Sequence, residues 1–121
     1  MMKVSNDLRD HWESLLLPAF PDGTDFDIVV NASDFRAEVR WKVGTDPDRP
    51  NKMSKTIYIV VEVETARDYE NKTDAQRQAD DGKLRDFVVS KLANHDPDHD
   101  TPKAAPPPTV EWIAGSSVLN S

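Results

Sequence analysis

The chain contains no cysteine, which excludes a disulfide framework, a thiolate zinc site and a thiol nucleophile. Glycine is scarce, 4 in 121 residues, and the four stand far apart at positions 23, 44, 82 and 115. Neither a glycine-rich phosphate loop nor a G-x-S-x-G nucleophile turn can be built from them, so no nucleotide cofactor, and no cofactor of another kind, is expected. No apolar run approaches the roughly 20 residues that cross a bilayer. The stretch 1–17 lacks the basic and apolar regions of a secretory leader. A cytoplasmic location without membrane contact is the expectation. Positive charge is also short: 15 Lys and Arg stand against 22 Asp and Glu, a net charge of -7. Such a chain repels polyanions, and nucleic acid is not the expected partner.

What is present suffices for a small core. Val, Ile, Leu and Phe together stand just above the roughly 20% below which a charged chain stays unfolded. Leu8, Trp12, Leu15 and Leu16 fall at i, i+4, i+7 and i+8, which predicts a helix from about Ser5 to Leu17 that Pro18 stops. Pro21-Asp22-Gly23 reads as a turn. Phe26, Ile28, Val30 and Ala32 alternate with Asp27, Val29 and Asn31 as a first strand, with Ser33-Asp34 as connector. Phe35, Ala37, Val39, Trp41 and Val43 alternate with Arg36, Glu38, Arg40 and Lys42, one face apolar and the other charged. Residues 44–55 read as an exposed loop. A third strand, Thr56 to about Thr65, puts Ile57, Ile59, Val61 and Val63 on one side and Tyr58, Val60, Glu62 and Glu64 on the other.

A second helix falls within Arg67–Ala93. Thr73-Asp74-Ala75-Gln76 carries the pattern of a capping box, and Gly82 weakens the interior enough to allow a kink or two shorter helices. Residues 94–109 hold five of the nine prolines and exclude helix or central strand. Thr109–Ala114 reads as a fourth strand. The expected fold is α+β, in the order helix, three-stranded antiparallel meander, helix, C-terminal strand (α-β-β-β-α-β), with the helices on one face of the sheet and Trp12, Trp41 and Trp112 meeting there. Residues 1–115 form the single expected domain, and 116–121 a flexible tail.

Three places carry candidate chemistry. His95, Asp96, Asp98, His99 and Asp100 gather imidazole and carboxylate within six positions, a weak metal candidate. Asp96, Asp98 and Asp100 match the first three acidic positions of an EF-hand loop, but Thr101 stands where Gly is required and Pro107 where Glu is required; the ordinary expectation is a solvated acidic linker. Glu62 and Glu64 at the end of the third strand, with Glu38 on the matching face of the second, form a carboxylate set. On the charged sheet face, Arg36, Arg40 and Lys42 are expected to pair across strands with Glu62 and Glu64, and together with Tyr58 they make an interaction surface.

The element order and the text Ile59-Val60-Val61-Glu62-Val63-Glu64-Thr65-Ala66-Arg67 resemble the core of the PD-(D/E)xK nucleases. The resemblance implies a divalent cation held by an acid on strand two and an acid-x-Lys on strand three. Glu64 stands in the place of the lysine, and no Pro-Asp pair precedes it. The first five elements also resemble double-stranded-RNA-binding domains in order, but Asp68, Glu70 and Asp74 would repel phosphate where those domains are basic. The sequence therefore reads first as a non-enzymatic domain acting through a protein partner or self-association. The alternative is a metal-dependent, nuclease-like protein using Glu38, Glu62 and Glu64.

Overall fold

The computed structural model describes residues 6–30, 34–43, 47–48, 52–99, 101–102, 105 and 108–119. Its elements are α1 (Asn6–Leu16), a 3-10 turn (Leu17–Ala19), β1 (Asp25–Val30), β2 (Asp34–Arg40), β3 (Thr56–Glu62), α2 (Val63–Glu70), α3 (Asp74–Ala93), β4 (Thr109–Ile113) and α4 (Ser116–Leu119). The sheet order is β1-β2-β3-β4. β1, β2 and β3 form the expected antiparallel meander, and β4 joins β3 in parallel. A parallel neighbour cannot be reached by a tight turn, and the crossover from β3 to β4 contains α2 and α3.

α1 presents Leu8, Trp12 and Leu16, one turn apart, and all three are buried. Pro18 has no amide hydrogen to donate, so α1 ends at Leu16 and the chain passes into the 3-10 turn Leu17–Ala19. Gly23 then adopts a positive φ of 79°, a conformation that costs glycine alone little, and turns the chain into β1. Alternation in the strands delivers Phe35, Ala37 and Val39 of β2 opposite Val61, Ile59 and Ile57 of β3, all buried. These six side chains share one apolar cluster with the α1 stripe, with Ala66 and Tyr69 of α2, and with Leu84 and Val88 of α3. Trp12 is fully buried, its ring edge-on to Phe35 at 4.7 Å and tilted against Tyr69 at 5.1 Å. Trp41 and Trp112 belong to the same cluster.

Four expectations change. β3 ends at Glu62, not near Thr65, because Ala66 and Tyr69 at i, i+3 bury themselves only if the chain turns helical at Val63. Residues 67–93 are divided between two helices, as the sequence allowed, but not at Gly82. The break falls at 71–73, where the Thr73 hydroxyl accepts from the Gln76 amide and the Gln76 side chain accepts from the Thr73 amide, the full capping box. Gly82 passes inside an unbroken α3. The loop expected to be exposed over 44–55 is buried at its C-terminal end: Ser54 has no exposure and Lys52 has 9%. Ser54 Oγ accepts from the Trp41 amide at 3.0 Å, and Lys42 bridges Met53. The tail expected over 116–121 is helical over 116–119, with Leu119 buried in the core cluster, since an apolar pair following Gly115 gains more by docking than by fraying.

Candidate functional site

The carboxylates of the sequence reading separate in space. Glu62 closes β3, and antiparallel register sets Asp34, the first residue of β2, directly across from it. Glu38 lies opposite Tyr58 instead, four residues from Glu62 along the ladder, or about 13 Å at strand rise. Glu38 therefore does not join Glu62; its carboxylate meets Arg40 at 3.3 Å. Glu64 lies in the first turn of α2 rather than on the strand, where negative charge is favoured by the helix dipole. It is exposed, as is Glu62. The exit of β4 reaches the same place, because Glu62 Oε1 lies 4.0 Å from the point a Cβ on Gly115 would occupy. This end of the sheet thus brings Asp34, Glu62 and the start of α2 together. Asp34 escaped the sequence reading: it looked like part of a connector, and only the pairing register reveals its partner.

On the charged side of the sheet, one row runs Val29, Arg36, Val60, Ile113 across the four strands, and the next runs Asp27, Glu38, Tyr58, Glu111. The Arg36 guanidinium stacks over the Tyr58 ring at 5.3 Å and approaches Glu111 at 4.0 Å. In place of the cross-strand pairing expected with Glu62 and Glu64, Arg40 pairs with Glu38 of its own strand and Arg36 reaches Glu111 of β4. Lys42 lies beyond the end of β2 and is exposed. Val29 is 48% and Ile113 57% exposed, so the row carries apolar surface at both ends.

The histidine-aspartate stretch forms a connection to the 52–55 segment. His95 packs edge-on to Trp112 at 5.4 Å and to Trp41 at 6.3 Å. Asp96 accepts from the Asp98 amide at 3.0 Å, a local turn. Asp98 pairs with the buried Lys52 ammonium at 2.8 Å. His99 Nε2 bonds the Met53 carbonyl at 2.9 Å, and its Nδ1 accepts from the Thr101 amide at 3.3 Å. Asp100 lies outside the described residues. Among the described residues no three His, Asp or Glu side chains are placed to share a metal ion.

A cavity of about 470 Å³ between α1, α2 and α3 is lined by Leu8, His11, Tyr69, Asp74, Arg77 and Asp81, among others. Asp81 accepts from the Tyr69 hydroxyl at 2.6 Å through one oxygen and meets His11 Nε2 at 2.7 Å through the other. Burial, and then Asp81, push the Tyr69 phenol above its ordinary value, so it stays a hydrogen-bond donor. The Arg77 guanidinium is held by Asp74 and by the Glu70 carbonyl. The polar groups of this wall are largely committed to one another. No described helix is long and apolar enough to cross a membrane. Compared with protein-family models, curated proteins and solved structures, the chain matches none.

Proposed function

We propose that the chain is a divalent-cation-dependent, nuclease-like hydrolase domain whose working end is the acidic tip of the sheet, with Glu62 and Glu64 as the cation-holding residues. The observation that carries this reading is the register that sets Asp34 on β2 opposite Glu62 on β3, within the element order α1-β1-β2-β3-α2-α3-β4. Glu38, the strand-two acid of the sequence reading, drops out. Carboxylate oxygens are the hard donors that suit Mg²⁺ or Mn²⁺ over softer metals, and since no three described acidic or imidazole side chains are placed to share an ion, Glu62 and Glu64 would hold it together with water. When bound, such a cation polarises a phosphoryl oxygen and makes a coordinated water more acidic. The chain's own part would be to present Glu62 at the end of β3 and Glu64 in the first turn of α2, both exposed and open to approach.

A second reading, contact with a protein partner or a second copy of the chain, is favoured by the exposed Val29 and Ile113 flanking Arg36 and Val60. It takes α1 and α3 to cover the apolar face of the sheet and leave this row to a partner, with the mixed apolar and charged character of transient interfaces.

One pair of variants separates the two. In a Mn²⁺ titration followed by amide NMR, broadening is expected to centre on residues 34, 62 and 64, and Glu62→Gln is expected to weaken Mn²⁺ binding about tenfold or more. Ile113→Lys should leave that response unchanged, and Mg²⁺- or Mn²⁺-dependent nicking of plasmid DNA should vanish in Glu62→Gln alone. No broadening at millimolar Mn²⁺ would sink the hydrolase reading. Association of the wild type in sedimentation, lost in Ile113→Lys, would establish the contact reading.

A further inference from the structure

The segment 95–99 crosses from the end of α3 to the approach of β3 and is fastened at both ends. At its start His95 lies against two indoles, Trp41 and Trp112, and its Nε2 is buried with no hydrogen-bonding partner among the described residues. At its far end the Pro97 carbonyl accepts from the Lys55 amide at 2.9 Å, Asp98 holds Lys52, and His99 bonds Met53. We propose that residues 95–99 are a pH-responsive strap, closed while His95 is neutral and released when it takes up a proton.

The physical argument is desolvation. A neutral imidazole tolerates an apolar pocket, whereas an imidazolium there loses its hydration without a hydrogen bond in return. The charged groups around the ring are Lys55, on the approach to β3, which opposes a second positive charge, and Asp96, on the strap itself, which favours one. β4 contributes an indole, Trp112, and the stretch after β2 contributes Trp41; neither titrates. Burial is the largest influence, Lys55 follows, and Asp96 is the smallest, so the pKa of the ring lies below the ordinary imidazole value of 6.5. The sign follows from linkage. Above that value neither the closed nor the open form carries the proton and closure is intact. Below it the open form binds a proton that the closed form does not, and closure weakens as pH falls. Release would free the Lys55 amide and expose Trp41 and Trp112.

The test is native-state amide exchange on the full chain, corrected for the intrinsic pH dependence of exchange. Protection of the Lys55 amide should fall up to about tenfold per pH unit below 6.5, while Val61 in the core of β3 stays protected. His95→Phe, which keeps an aromatic ring between the indoles, should abolish that dependence. Lys55 protection that ignores pH, or that still follows pH in His95→Phe, overturns the proposal. So does Val61 exchanging in step, which would mean global unfolding. Should His95→Phe fail to fold, the wild-type ring titration by NMR decides: a midpoint at or above 6.5 rejects the strap, and a lower one supports it.

Discussion

Trp12→Ala is expected to cost about 3–5 kcal/mol in chemical denaturation, the largest effect of any single truncation in the chain. The indole is fully buried and touches Phe35 of β2 and Tyr69 of α2, so it joins α1 to the sheet and to the crossover at one point. Removing it forfeits transfer free energy and leaves a cavity that three separate elements would have to close. Domains of this size have only about 5–15 kcal/mol to lose, which places the variant near the edge of folding. Trp12→Phe should retain most of the stability, since it keeps a ring edge against Phe35. A loss below about 1 kcal/mol for the alanine variant would mean that α1 is not anchored through this residue.

The second large effect is electrostatic. Asp80 in α3 is 3% exposed and bonds the Lys72 ammonium at 2.6 Å across the break between α2 and α3. Truncating Lys72 to Ala leaves a carboxylate in a desolvated position without its cation, a change that costs about 3 kcal/mol or more for a buried pair. Replacing both partners, Lys72→Met with Asp80→Leu, should recover most of that loss, because the desolvation penalty disappears together with the attraction. Thermal midpoints of Lys72→Met, Asp80→Leu and the double variant form the cycle that checks it. Additive losses would show that the two side chains do not depend on each other.

Where a local pattern alone decides structure, the sequence reading met the structure closely. The Leu8-Trp12-Leu16 stripe, the alternation of β2 and the Thr73–Gln76 capping box each depend on residues within one or two turns. The errors fall where distant segments decide. Strand-like residues continue through Val63, yet Tyr69 can reach Trp12 only if the chain leaves β3 at Glu62. Asp34 reads as part of a connector until the β2–β3 register places it opposite Glu62, and the 44–55 stretch between those strands contains nothing that sets the register. Leu119 reads as tail because its partners lie in the core cluster, far back in the chain. Of the acidic tip, Glu62 and Glu64 were legible and Asp34 was not; Glu38 was chosen for sharing a face with them, which says nothing of how far along the ladder it lies.

The parallel seating of β4 has a kinetic consequence. Each pairing in the β1–β2–β3 meander closes a short stretch of chain, whereas the β3–β4 ladder makes neighbours of Thr56 and Thr109. Loop closure grows costlier with length, and contacts remote in sequence form late. Refolding should therefore pass through a three-stranded stage, with protection in pulse-labelled exchange reaching Val39 before Trp112. The edge of β3 would stand open during that interval, and a bare strand edge is where a second chain can pair in place of β4.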